Sequence, residues 1–187
     1  TFLSDGSPFS VYIVYRTIPD NPETIQCLLA TANTLGASAA RGISLMHDDR
    51  STSSRFDQQL ATISTGVANI FAAGFSTTGS AIAGKWHMTT CILSGGSPSI
   101  GVNPSGTLYV DSNLIQRASI TTGFSPLEPQ NELSIGGCFT GRATVPTSPL
   151  KGDIAQILIY KETHSDPQRI AVEDWLTSVY GAFPHDV

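Results

Sequence analysis

From Phe9 to Lys161 the recognisable hydrophobic runs of this chain alternate with a period of two, and only after Ser165 does the period lengthen to that of an α-helix. "FSVYIVYRTI" (Phe9–Ile18), dense in β-branched and aromatic residues and bounded by Pro8 and Pro19, predicts a first strand. "ETIQCLLAT", "RGISLMHD" and "SSRFDQQLAT" predict three more, while residues 62–84 fit either a strand pair or a loop with a short helical turn. "GKWHMTTCILSG" (Gly84–Gly95) sets Trp86, Met88, Thr90 and Ile92 on one face and His87, Thr89, Cys91 and Leu93 on the other. Both faces suit burial, so a central strand of a two-layer sandwich is expected, with Trp86 between the sheets.

"SIGVN", "GTLYVD", "LIQRASI" and "NELSIGG" follow, and "GDIAQILIYK" (Gly152–Lys161) is the most hydrophobic run of all. Strict alternation there puts Ala155, Ile157 and Ile159 on one face and Ile154, Gln156, Leu158 and Tyr160 on the other. The single helical stretch opens at Ser165, with Gln168 three residues on to complete a capping box and Pro167 in the first turn. Val172, Trp175, Leu176 and Val179 follow helical spacing and predict its buried stripe, and Gly181 suits its end. Short strands punctuated by Gly, Pro and Asn, without helices between them, predict an all-β, two-sheet antiparallel sandwich carrying one C-terminal helix. Residues 1–187 contain no internal repeat or linker, so one domain is expected.

Charged residues make up only 13% of the chain, about half the usual share, and the net charge is −5. The ten basic residues are scattered, which argues against nucleic acid as a partner and against a polybasic membrane-surface segment. No apolar run reaches the roughly 18 residues of a membrane span, so no insertion is expected. Cys27, Cys91 and Cys138 lack the close pairs that a zinc site requires. At most one disulfide can form among them, and Cys27 and Cys91, inside apolar runs, read as small buried hydrophobes.

The chemistry of hydrolysis is missing from the pattern. No Gly-x-Ser-x-Gly elbow occurs, the His residues lie in unrelated settings, and no strand carries the paired carboxylates of a glycosidase. The densest polar cluster is "HDDR", His47, Asp48, Asp49 and Arg50, a candidate ligand-binding rim loop after the third strand. Its carboxylates suit Ca²⁺, the one ion the sequence suggests, and its Arg suits an acidic or sugar ligand; a solvated loop accounts for the same residues. No metal ligand set and no cofactor motif is identified. Asp111, in "GTLYVDSNLI", reads as the turn of a hairpin, because Asp-Ser-Asn side chains bond their own backbone.

The order of these pieces resembles a concanavalin A-like, laminin-G-type jelly-roll domain. "SPFSVYIVYR", "RGISLMHDDR", the Trp-led "GKWHMTTCILSG", the hairpin "GTLYVDSNLI" and "NELSIGGCFTG" match in order, as does "LKGDIAQILIYKETHSDPQRIAVEDWLTSVYG". Gln156 stands where such domains often carry Glu, and their variable Ca²⁺ ligands have no counterpart here, so none is carried over. The resemblance implies a non-enzymatic module found in phage and viral structural proteins and in secreted bacterial proteins. The favoured expectation is therefore a virion structural or adhesion component, at a virion or extracellular surface, with neighbouring subunits or glycans as partners and an oligomeric assembly. The alternative is a carbohydrate-binding module of a larger secreted bacterial protein. Domains of this type carry a strand before "SPFSVYIVYR", so the chain is expected to be part of a longer polypeptide, or completed by a neighbour, with Phe2 and Leu3 ending that strand.

Overall fold

The computed structural model describes residues 3, 7–18, 25–31, 41–48, 58–65, 83–95, 105–119, 133–137 and 148–184. Among the described residues nine strands and one helix run in the order β1 (Phe9–Thr17), β2 (Ile25–Ala30), β3 (Arg41–Asp48), β4 (Gln58–Thr65), β5 (Trp86–Leu93), β6 (Ser105–Val110), β7 (Asn113–Ser119), β8 (Ser134–Ile135), β9 (Gly152–Tyr160) and α1 (Asp166–Tyr180). They form two antiparallel sheets, one of five strands ordered β7-β6-β5-β1-β9 and one of four ordered β4-β3-β2-β8. The all-β sandwich with a C-terminal helix is thus as expected, and β5 is central to its sheet. The stretches 62–84 and 97–103 lie outside the described residues except where β4 and the entry to β5 reach into the first.

The core between the sheets takes the inward side chains of β1 (Phe9, Val11, Ile13, Tyr15), β2 (Leu28, Leu29) and β3 (Ile43, Leu45). Cys91, Leu93 and Leu108 complete it from the five-stranded sheet, and Leu3 joins it as a buried side chain in a 3₁₀ turn rather than the end of a strand. A second cluster lies on the opposite face of the same sheet, where Tyr12, Val14 and Met88 pack beneath Leu176 of α1. Trp86 belongs here, half-buried against this cluster with the Arg16 guanidinium 5.2 Å from its ring centre. The alternation read along β5 is correct, but the Trp86 face meets the helix and the Cys91 face meets the second sheet.

Two departures from strict alternation have one cause. Between β1 and β9 the register slips at Val14/Tyr15, leaving Ala155 without an opposite residue. Ile154 therefore joins Ile157 and Ile159 in the inter-sheet core, while Ala155 joins Leu158 and Tyr160 under the helix. Close pairing at the start of β9 depends on Gly152, at φ 155°, where a Cβ would lie 2.0 Å from the Arg16 carbonyl oxygen. The helix also sits differently from expectation. Arg169, Glu173 and Leu176 are its buried line, and Trp175 and Val179 are 50% and 52% exposed. The sheet beneath its N-terminal half presents Thr90 and Tyr109, so hydroxyl-bonding side chains, not apolar ones, face inward there.

Truncating a residue between the sheets should cost more than truncating the larger Trp86. Leu45→Ala, fully buried, should lower unfolding free energy by about 3 kcal/mol. Trp86→Ala, already half in water, should cost only about 1–2 kcal/mol. Urea unfolding of the two variants checks the order, and a larger loss at Trp86 would misplace β5.

Candidate functional site

Beside the start of α1, residues on the outer face of β5, β6 and β7 line a pocket of about 230 Å³. Ile92, Thr107, Tyr109 and His164 make its nearly buried floor, and Ser94, Ser105, Arg117, Thr163 and Asp166 make its rim. The rim is held by backbone. The Ser105 amide donates to Ser94 Oγ at 2.7 Å, the two Ser hydroxyls are 3.1 Å apart, and Thr163 Oγ1 donates to the Leu93 carbonyl at 2.9 Å.

Arg117 reaches the pocket through a second bulge. Tyr109 opposes Leu114 and Leu108 opposes Gln116, so Ile115 is the extra residue of β7. Ile115 packs on the inter-sheet core, and Arg117 emerges on the outer face opposite Thr107, whose hydroxyl accepts from its Nε at 3.4 Å. Strict alternation would have placed Arg117 on the face of Ile115, which is why sequence reasoning missed it. A bulge carries no dependable signal in one sequence.

The segment Glu162–Asp166 closes the other side, and β1 anchors it. Ser10 Oγ accepts from the His164 amide at 2.9 Å and donates to the Glu162 carbonyl at 2.8 Å. The Tyr12 hydroxyl lies 2.7 Å from His164 Nδ1. Burial, reinforced by the Glu173 carboxylate, pushes the Tyr12 pKa far above its usual value, so this phenol keeps its proton. On the other side of the ring, His164 Nε2 lies 3.4 Å from Glu162. Beside it, Asp166 Oδ1 accepts from Tyr109 at 3.3 Å and lies 3.5 Å from Arg169, whose guanidinium stacks 4.1 Å from the Tyr109 ring centre. Arg169 also pairs with Glu173, which accepts from Thr90 at 2.8 Å; burial raises the Glu173 pKa against those partners.

The sequence-singled cluster has a different place. His47 and Asp48 are the last residues of β3, both fully buried, and Asp49 and Arg50 lie outside the described residues. His47 points between the sheets, its ring 6.3 Å from that of Tyr15, and neither ring nitrogen has a hydrogen-bond partner. Burial, with His87 nearby, lowers its pKa to about 4. Among the described residues no group of three or more His, Cys, Asp or Glu is arranged to hold a metal ion.

Asp111 is more than a turn residue. Asp111 and Ser112 have φ of 50° and 64°, the geometry of a two-residue type I′ hairpin. The Asp111 carboxylate also accepts from the Met88 amide at 2.8 Å and from His87 Nδ1 at 2.7 Å, and its own amide donates to the Met88 carbonyl at 2.8 Å. The hairpin is thus clamped to β5. Of the cysteines, Cys91 is a buried free thiol pushed up to about 12, too high for thiolate chemistry. Cys27 is buried as expected but disulfide-bonded rather than free, and Cys138 lies outside the described residues.

No protein-family model and no curated protein matches this sequence. Solved structures do match in fold. The CBM40 module of the Ruminococcus gnavus IT-sialidase, solved bound to α2,3-sialyllactose, superposes with a TM-score of 0.57 at 17% identity, covering 89% of this chain and 82% of that one. A heptameric SAP-like pentraxin from Limulus polyphemus gives 0.55 at 10% identity, over 98% of this chain and 76% of that one. The botulinum neurotoxin serotype D/C binding domain gives 0.55 at 11% identity, covering 92% of this chain and 37% of that one. All are jelly-roll sandwiches, and the concanavalin A-like class of this chain follows.

Two substitutions test the buried polar end of the sandwich. Asp111→Ala strips acceptors from the Met88 amide and His87 and should cost about 2–3 kcal/mol in urea unfolding. His47 in the folded chain refuses a proton that the unfolded chain accepts below pH 6.5, so its contribution makes stability fall as pH drops from 6.5 towards 4. The slope is about 1.4 kcal/mol per pH unit for one such group. The stability of wild type relative to His47→Leu, measured by urea unfolding from pH 7.5 to 4.5, should fall in that direction; a pH-independent difference would overturn this assignment.

Proposed function

We propose that this chain is a non-catalytic carbohydrate-binding module of a larger secreted or cell-surface protein, and that its sugar site is the pocket on the outer face of β5, β6 and β7. The observation that carries the reading is the lining itself. Hydroxyls from Ser94, Ser105, Thr107 and Thr163, held by hydrogen bonds to backbone or to neighbouring side chains, converge with Arg117 and Asp166 around a small floor. Hydroxyl-bearing ligands are recognised by such groups placed at several angles around an apolar patch, here Ile92. Binding fits the pocket better than hydrolysis. Asp166 is the one carboxylate among its described lining residues, whereas a glycosidase places two about 5–10 Å apart around the scissile bond.

The fold neighbours support glycan binding over the virion role favoured on sequence grounds, since the CBM40 structure is a carbohydrate-binding module solved with a sialylated sugar. The disulfide at Cys27 fits an oxidising, extracellular compartment. Partners in this reading are glycans, with the rest of a longer polypeptide supplying any catalytic activity.

A glycan array probed with the intact chain should give selective binding, and Ser105→Trp, which fills the rim, should abolish it while leaving the thermal midpoint within about 4 °C, the shift expected from a surface change under 1 kcal/mol. An array with no binder would defeat the proposal, and so would binding indifferent to Ser105→Trp.

A further inference from the structure

Resting on the glycan-binding reading, the geometry points to a narrower ligand: a single anionic sugar at a chain end, held by Arg117 and without an aromatic platform. Modules that lie along neutral polysaccharide chains need an open ring face to stack a sugar on. Here Tyr109 is only 5% exposed and Arg169 stacks on its ring, while His164 is 7% exposed with the Tyr160 ring 4.4 Å away. Among the described lining residues no aromatic ring offers an open face, so the recognition they supply comes from hydrogen bonds and charge.

Size sets the second constraint. A volume of about 230 Å³ lies below the range of roughly 300–1,000 Å³ that encloses drug-sized ligands. The pocket is bounded by the Glu162–Asp166 segment on one side and by edge strand β7 on the other. One sugar ring fits, with the remainder of a glycan leaving over the rim.

Charge supplies the third. Among the described residues two charged side chains line the pocket, Arg117 and Asp166. Asp166 Oδ1 already accepts from Tyr109 and faces Arg169, whose second partner is Glu173, so this carboxylate has partners of its own although its side chain is largely exposed. Arg117 has its Nε on Thr107 and, among the described residues, no carboxylate partner. Its planar fork is exposed at the rim, suited to a bidentate bond with a carboxylate or sulfate on the bound ring. Thr107 and Ser105, beside it on β6, are placed for the ring hydroxyls.

Titration calorimetry of the intact chain with lactose, 3′-sialyllactose and 3′-sulfolactose, alongside the glycan array, tests this. Either charged form should bind at least tenfold tighter than lactose, and which one does separates a carboxylate from a sulfate ligand. Arg117→Gln should erase that preference, Arg117→Lys should restore part of it, and Arg16→Gln, at the far end of the sheet, should leave it intact. If neither charged lactose binds, array hits confined to other anionic sugars and lost in Arg117→Gln also sustain the inference. Binders that are neutral, or anionic ones indifferent to Arg117→Gln, overturn it while leaving the glycan-binding reading standing. An array without any binder removes both.

Discussion

The hydrogen bond between the Tyr12 hydroxyl and His164 is the contact on which the outer half of this molecule depends. It joins the second strand from the edge of the five-stranded sheet to the segment that enters the helix, 152 residues later in the chain. Ser10 adds two more bonds to the same segment, so its path is fixed from below by β1 and laterally by Thr163 on β5. Burial keeps Tyr12 protonated, so no phenolate charge is set against this segment. Without that anchor neither the wall of the pocket nor the entry angle of α1 is defined.

The helix completes this arrangement by an uncommon division of labour. Its C-terminal half docks by apolar contact, Leu176 on Tyr12, Val14 and Met88. Its N-terminal half docks by a polar network in which Arg169 is held between the Tyr109 ring and Glu173, with Thr90 beneath. A buried charged pair adds little net stability compared with apolar packing, but breaking it strands a charge, so it specifies one docked position. The same network occupies Tyr109 and Asp166, and so decides which groups of the pocket remain free for a ligand. At the opposite end of β5, Asp111 and His87 do for the β6–β7 hairpin what Tyr12 and His164 do for the helix.

The strands and the helix were legible in the sequence because period and punctuation are local properties. β1, β3 and β5 fall where their β-branched and aromatic runs lie, and the Ser165–Gln168 pairing at the helix start follows from two residues three apart, with the Ser165 amide 2.9 Å from Gln168 Oε1. The type I′ turn at Asp111–Ser112 was legible for the same reason. The site was not. "HDDR" drew attention as a dense polar run, yet its first two residues end a buried strand, because β3 runs on through Asp48 before the chain turns. The pocket is assembled from residues spread between Ile92 and Asp166, none in a recognisable motif.

What the sequence by itself determined is the set of strands, the single helix and the sandwich class, all of which follow from hydrophobic period. What only the tertiary structure decided is which face each side chain serves. Bulges opposite Val14/Tyr15 and Leu108/Tyr109 move Ile154 inward and Arg117 outward. The helix, resting on a hydroxyl-bearing sheet face, buries Arg169 and Glu173 and leaves Trp175 half in water. The physical reason is common to both: side-chain parity along a strand and rotation about a helix axis are reset by one residue of slip, and that slip is set by the partner element rather than by the local sequence.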